Sequence, residues 1–400
     1  MTTARNQPIC SVVMQPTTLC NLNCSYCYLP SRKTRMTMAP DVARAVATAI
    51  SDQHNQPSQM EVIWHGGEPL TVGTSCLSEL FDCFAESATV HIIQTNATLI
   101  DHNWASFFSD RQVHVGVSID GDAAANAGRI DYAGRPAFER IMNGISVLQA
   151  AKIPFDVIAV VSQPHRKRAE SLYTFAQSIG CRSLAINIEE REGVNTRCQD
   201  TDIDAISDFW SALAESWIAA PTLPIREIDR LRSFAGSHRG SISGSPLDDP
   251  FPTVAWDGSL TLHSPELAGF TCDRLGDFAC GNVLTAPMID LITQGQEARW
   301  VREYAKGVEL CHRTCSLFEF CQGGPAANRY FETGWLDIAE TDYCRNSRIA
   351  LVDGILADGQ DLNNDPRRRI AESSQFRLIQ ALADSRSTPG KFDNRPSWDN

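Results

Sequence analysis

Cys20-Asn-Leu-Asn-Cys24-Ser-Tyr-Cys27 lies inside the longer run Met14-Gln-Pro-Thr-Thr-Leu-Cys-Asn-Leu-Asn-Cys-Ser-Tyr-Cys-Tyr28-Leu-Pro30. Three thiols within eight residues, spaced C-x3-C-x2-C, can wrap one side of an iron–sulfur cubane and ligate three of its irons. The fourth iron is then left without a protein ligand, as a reactive cluster needs if a substrate or cosubstrate is to bind metal directly. A structural zinc site would more usually take two separated Cys pairs, and a ferredoxin run would supply a fourth Cys. The residues just before, Ile9-Cys-Ser-Val-Val-Met-Gln15, read as a buried strand running straight into this loop.

Outward from that strand, the pattern alternates. Helical periodicity at 40–54, opened by Pro40-Asp41, is followed by strand-like runs near 60–65, 90–95, 113–119, 155–161 and 183–188. Between them lie helical patterns near 75–86, 101–110, 135–152 and 165–180, with another at 201–219. The strands are nearly continuous in Val and Ile, as strands buried on both faces should be. Six β-α units in succession predict an α/β fold with a parallel sheet inside and helices outside, a partial (β/α)6 TIM barrel over residues 8–220. In such a barrel the chemistry gathers where strands end. Here the strand ends carry Trp64-His65-Gly66-Gly67-Glu68-Pro69, Gln94-Thr95-Asn96, Ser118-Ile-Asp120-Gly121, Ser162 and Asn187-Ile-Glu189-Glu190.

Composition sets the remaining bounds. Hydrophobic residues make up 43% and charged residues 21% of 400, a soluble globular balance with room for two or three domains. A net charge of −13 argues against generic nucleic-acid or anionic-membrane binding. No run is apolar enough to span a bilayer, and the polar N-terminus lacks a signal peptide's apolar region. Fourteen cysteines without a secretion signal point to metal ligation in a reducing cytoplasm, not to a disulfide framework.

Beyond the barrel, 221–252 reads as a Pro-, Ser- and Gly-rich connector, and 253–350 as a second, smaller unit. It opens with a hairpin turning at Asp257-Gly258 and continues to Cys311-x3-Cys315-x5-Cys321, with Cys344 further on. Four such thiols can close a fully ligated 4Fe–4S cluster; a four-cysteine zinc site is the rival.

The three-Cys spacing, with Tyr26 before the last Cys and Tyr28 after it, resembles the radical S-adenosylmethionine (SAM) signature, and the chain from about 10 to 350 resembles the radical SAM/SPASM family. That resemblance implies a SAM-cleaving 4Fe–4S cluster on Cys20, Cys24 and Cys27. The strand-end motifs then suit parts of SAM. Gly66 and Gly67 would admit its amino-acid end, the Glu68 carboxylate would receive its ammonium, and Arg129 would grip its carboxylate. Gln94, Asn96, Ser118, Asp120 and Asn187 are further candidates for SAM contacts. SPASM extensions normally carry two auxiliary clusters on seven cysteines. Here only Cys311, Cys315, Cys321 and Cys344 match, because the His263 region and Pro325 stand where further cysteines belong. One auxiliary cluster is therefore expected, with Cys272 and Cys280 left over as ordinary thiols.

Within the family, the likeness is to cyclophane-forming peptide maturases of the GrrM/FxsB type, on runs such as Ile93-Gln-Thr-Asn-Ala-Thr-Leu-Ile100 and Glu340-Thr-Asp-Tyr-Cys344. It implies a 5′-deoxyadenosyl radical that takes hydrogen from a side-chain β-carbon, which then adds to an aromatic ring. Loss of a proton and an electron restores aromaticity, with Glu189, Glu190, Glu266 and Asp342 as unranked base candidates. The implied partners are a ribosomal precursor peptide and a flavodoxin- or ferredoxin-type reductant. The tail, 351–400, holds a short amphipathic pattern from Arg367 and ends in Phe392-Asp-Asn394 and Trp398-Asp-Asn400. This aromatic-Asp-Asn repeat within 391–400 is what a three-residue cyclophane requires, so the tail resembles a precursor peptide fused to its own maturase. The competing outcomes are sulfatase-type oxidation of Cys or Ser, or a thioether bond; an iron–sulfur electron carrier is the non-enzymatic alternative.

Overall fold

In a computed structural model of the chain, the residues described are 9–53, 59–196, 202–236, 247–356, 370 and 373–384. Strand β1 (Ser11–Met14) is buried throughout and pairs in parallel with β2 (Met60–Trp64). Then follow β3 (Thr89–Thr95), β4 (His114–Ser118), β5 (Phe155–Val161) and β6 (Leu184–Ile188), each parallel to the one before. The helices that return the chain are α1 (Pro40–Ser51), α2 (Thr74–Asp82), α3 (His102–Asp110), α4 (Phe138–Ala150) and α5 (Arg166–Ser178), with α6 (Ile203–Ala219) after β6. This is the expected partial barrel, and local chemistry sets its elements. Pro40 opens α1, whose buried face carries Val42, Val46 and Ile50 at helical spacing. The Asp101 carboxylate accepts the Trp104 amide at 2.9 Å and caps α3. Gly144 lets α4 lie against the turn after β3, where a Cβ would stand 2.1 Å from the Ala97 carbonyl oxygen.

The expected connector and second unit differ from a plain linker and an appendage. Within 221–252, α7 (Arg226–Gly236) forms because Ile228, Leu231 and Phe234 recur at helical spacing and bury together. The Ser- and Gly-rich part, 237–246, lies outside the described residues. The hairpin of β7 (Thr253–Val254) and β8 (Ser259–Thr261) turns at Gly258, which takes φ +87°. Strand β7 joins β1 in parallel, Val13 opposite Thr253, so the hairpin covers the barrel's free edge and continues its sheet. A small ribbon of β9 (Thr271–Cys272) and β10 (Gly276–Asp277) precedes β11 (Ala279–Asn282), and the nine-stranded order is β11-β8-β7-β1-β2-β3-β4-β5-β6.

Helices α8 (Met288–Gly295), α9 (Arg299–Thr314), α10 (Phe318–Cys321), α11 (Ala326–Thr333), α12 (Asp342–Cys344) and α13 (Ala350–Leu356) complete this region. Of the amphipathic pattern in the tail, α14 (Ser374–Asp384) is described, with Phe376 and Ile379 buried. Phe392, Asn394, Trp398 and Asn400 lie outside the described residues. No helix among the described residues is long and apolar enough to cross a membrane.

Candidate functional site

All six barrel strands deliver residues to one cavity of about 410 Å³ at their C-terminal ends. Cys20, Cys24 and Cys27, on the loop after β1, line it together. Backbone bonds hold this loop from two sides: Asn23 N–H donates to the Ile130 carbonyl at 2.7 Å, and Ser25 N–H to that of Gly128 at 2.9 Å. Asn96 donates its side-chain amide to Asn21 Oδ1 at 2.9 Å, tying the loop to the end of β3. Burial raises two of these thiols: Cys24 is pushed up to about 11, with Arg129 opposing, and Cys20 rises further, with the Glu68 charge adding to the effect. Buried thiols of this kind give up protons readily only to metal, so the donor set fits an iron–sulfur cluster. On the same wall, the buried Gln94 Oε1 has no hydrogen-bond partner among the described residues, an acceptor for a ligand's donor.

Of the residues expected to meet SAM, Gly67, Gln94, Ser118, Arg129 and Asn187 line this cavity. Gln94 donates to Ser118 Oγ at 2.8 Å, and Asn187 Oδ1 accepts from Arg226 at 2.8 Å. The others stand behind the wall. Glu68 is 1% exposed. Its Oε1 accepts from Leu70 N–H at 3.1 Å and Thr95 O–H at 2.7 Å, and its Oε2 from Asn96 N–H at 2.7 Å. A carboxylate so occupied caps its own turn and staples it to β3. Close protein packing requires the glycines before it: a Cβ on Gly67 would stand 2.5 Å from the Leu19 carbonyl oxygen, and one on Gly66 2.8 Å from Gln15 Cγ.

Arg129 is also held by protein contacts. Its fork is taken by Asp120, Nε to Oδ2 at 3.0 Å and Nη2 to Oδ1 at 2.9 Å, both side chains buried. Asp120 also accepts from Tyr26 O–H at 2.5 Å and Val160 N–H at 2.9 Å, joining cluster loop, β4 and β5. The pair uses the Nε and Nη2 edge of the guanidinium, and Arg129 still lines the cavity.

Acidic residues gather at the far side. Glu189, Glu190 and Glu266 line the cavity, joined by Glu192, which sequence reasoning passed over although it follows in the same Glu-Glu-Arg-Glu run. Burial, with repulsion from neighbouring carboxylates, pushes Glu190 up to about 8 although the Asn328 amide hydrogen-bonds it. Burial raises Glu266, and burial with the charges of Glu266 and Glu190 raises Glu192 well above the carboxylate range. Asp342 is elsewhere: 42% exposed, it pairs with Arg345 and does not line the cavity. His65, 2.9 Å from Tyr28 Oη, is lowered by burial to about 4 and stays neutral.

The second thiol set lies beyond these acids. Cys311 is near the end of α9, Cys315 caps it, Cys321 ends α10 and Cys344 ends α12. Charge on Cys321 acts on each of the other three, which places the four thiols in one neighbourhood. Buried Arg329 donates to Cys311 Sγ at 3.2 Å and to the Leu336 carbonyl at 3.3 Å, and also to the carbonyls of Gly323 and Ile338. Among the described residues no three His, Cys, Asp or Glu side chains converge as ligands of one shared ion; in a cubane each thiolate takes its own iron. Pro325, standing where a further Cys belongs, lines the cavity. Cys272 bonds with the Tyr330 side chain and Cys280 packs under Gly295, so neither joins the set.

Comparison with known proteins agrees with this architecture. The chain is 29% identical over 350 residues to the uncharacterised protein sll1766 of Synechocystis, covering 84% of this chain and 88% of that one. It is 28% identical over 333 residues to a serine-type anaerobic sulfatase-maturating enzyme of Klebsiella aerogenes, covering 77% of each. Among solved structures it is similar to native anSMEcpe with bound AdoMet and Cp18Cys peptide, with TM-score 0.70 at 20% identity over 94% of this chain and 99% of that one. Residues 14–175 match the model of the Radical SAM superfamily. That match takes in the three-thiol loop at the end of β1, and the superfamily it describes uses SAM and a 4Fe–4S cluster as cofactors.

Proposed function

We propose that the chain modifies a peptide by radical chemistry and that its product is a carbon–carbon cyclophane, an aromatic ring joined to a side-chain β-carbon. The observation that carries this reading is the cavity itself, which the three-thiol loop and the carboxylates Glu190, Glu192 and Glu266 line together. With cofactors bound, SAM and the 4Fe–4S cluster supply a hydrogen-abstracting radical, and a cluster on Cys311, Cys315, Cys321 and Cys344 an electron acceptor. The residues of the chain do the rest. Strand ends and the 253–350 region enclose the substrate and exclude water. Joining a β-carbon to a ring releases one hydrogen to the radical, then one proton and one electron. Among the acids, Glu190 accepts that proton best in its ionised form, and Asn328 orients it. The reading extends to a tethered substrate at Phe392-Asp-Asn394 and Trp398-Asp-Asn400, to a flavodoxin- or ferredoxin-type reductant and to a cytoplasmic setting.

Sulfatase-type oxidation of Cys or Ser is the second reading, favoured by the 28% identity over 77% of the chain to a sulfatase-maturating enzyme. Anaerobic incubation of the reconstituted enzyme with SAM, reductant and either the peptide of residues 385–400 or a Cys- or Ser-containing sulfatase peptide, followed by tandem mass spectrometry, separates the two. A cyclophane removes two hydrogens and blocks fragmentation between the joined residues; a formylglycine appears as an aldehyde on a single Cys or Ser of a sulfatase peptide. An unmodified tail peptide during SAM turnover would rule out the tail as substrate.

A further inference from the structure

Two guanidiniums line the cavity with no carboxylate hydrogen-bonded to either among the described residues. Arg230, on α7, and Arg348, in the turn after Cys344, both line its wall. Among the described residues Arg230 has no ion-pair partner; its guanidinium lies over the Phe320 ring, 5.8 Å from the centroid. Arg348 donates to Tyr343 Oη and to the Ser347 carbonyl, and its buried Nε has no partner among the described residues. The neighbouring Arg226 differs, being paired with Glu227. Repulsion from Arg348 is the chief influence on Arg230, lowering it to about 10. Two like charges held side by side in a buried wall cost free energy unless an anion lies between them. The charges of Glu227 and Glu190 reach Arg348, but among the described residues neither arginine is hydrogen-bonded to a carboxylate of the cavity.

We infer that Arg230 and Arg348 are the receptor for a carboxylate of the substrate, an Asp or Glu side chain adjoining the residues that react. This rests on the peptide-modifying reading and names the substrate class it takes. The carboxylate of SAM is the other possible source of this chemistry, and the position of the pair disfavours it. Cys321 of the four-thiol set is among the charges acting on both arginines, whereas Cys24 of the cluster loop acts on Arg129. The pair thus feels the four-thiol set, as Arg129 feels the cluster loop. The sequence offers a matching ligand, because Asp393 and Asp399 each sit between an aromatic residue and an Asn.

The test uses the reconstituted full chain with its own Asp393 and Asp399 changed to Asn, so that the tether does not compete through those carboxylates. Three probes are compared: the labelled peptide of residues 385–400, the same peptide with both Asp changed to Asn, and N-acetylaspartyl amide at millimolar concentration. The Asp peptide should bind about tenfold tighter than its Asn form, by anisotropy. Arg230→Gln or Arg348→Gln should abolish that preference while leaving SAM affinity and iron content unchanged; Arg230→Lys should keep part of it. Arg230→Gln should also raise the ligand-free melting temperature, because it relieves the like-charge contact, and should lose the thermal shift given by N-acetylaspartyl amide. Equal affinity for the two peptides with no shift from the small carboxylate overturns the proposal. So does loss of iron in Arg230→Gln, which would assign the pair to the four-thiol set, or loss of SAM affinity, which would assign it to SAM. A shift from the small carboxylate that needs both arginines, with neither peptide binding, leaves the receptor standing and removes the tail as its ligand.

Discussion

Replacing Glu68 weighs two roles against each other, stapling the turn after β2 and meeting the SAM ammonium. Its carboxylate accepts from Leu70 N–H, Thr95 O–H and Asn96 N–H while buried. In Glu68→Ala the Thr95 hydroxyl can turn elsewhere, but two backbone N–H groups lose their only acceptor. Each such buried donor costs about 1–3 kcal/mol, so about 2–6 kcal/mol of stability is at risk. A partial offset comes from removing a charge that is itself poorly solvated: burial pushes Glu68 up to about 7, against three hydrogen bonds that pull it down. The sign of the pH dependence follows from that direction. An acid whose folded pKa is raised favours the folded state most below its unfolded value, and this contribution is lost as pH rises through the folded one. Urea unfolding of the reduced chain should therefore show Glu68→Ala destabilised by about 2–4 kcal/mol near neutral pH. The deficit should be larger near pH 5, where protonation favours only the wild-type fold. SAM affinity per folded molecule, by equilibrium dialysis, should stay within about twofold. An unchanged unfolding curve with SAM binding lost would refute the stapling role and restore Glu68 as the ammonium's partner.

Arg329→Gln removes the buried cation that donates to Cys311 Sγ and three carbonyls. It should cost roughly half the iron on anaerobic reconstitution, read by iron assay, because the four-thiol set loses its shape while the cluster loop is untouched. Glu190 is pushed up to about 8, so if it is the proton acceptor, crosslinking rates should rise with pH through that value as it ionises. Glu190→Gln should slow crosslinking by about 10²–10⁴-fold and flatten the profile while SAM cleavage continues.

The barrel was legible because its strands are Val- and Ile-rich runs at regular intervals, a pattern that leaves few other folds. The strand-end motifs were legible as site material for the same reason: six polar clusters fall at one end of one sheet. What spacing did not carry was side-chain direction. Gly66-Gly67-Glu68-Pro69 marks a tight turn beside the cluster loop, yet only the fold reveals that Glu68 turns back to cap that turn. Asp120 and Arg129 are nine residues apart in separate motifs, and their pairing depends on the loop between them. Thr253–Val254 is too short a strand to announce that it docks on β1. Arg230 and Arg348 look like the solvated arginines that most helices carry, and nothing local predicts that a cavity wall buries them together.

The most direct measurement is the iron content and SAM turnover of the wild-type chain beside Cys20→Ala/Cys24→Ala/Cys27→Ala. After anaerobic reconstitution the wild type should hold roughly eight irons and the triple variant roughly four. With reductant, only the wild type should convert SAM to methionine and 5′-deoxyadenosine. Persistent SAM cleavage in the triple variant, or zinc in place of iron on the wild-type thiols, would contradict the assignment of this loop as the cluster that cleaves SAM.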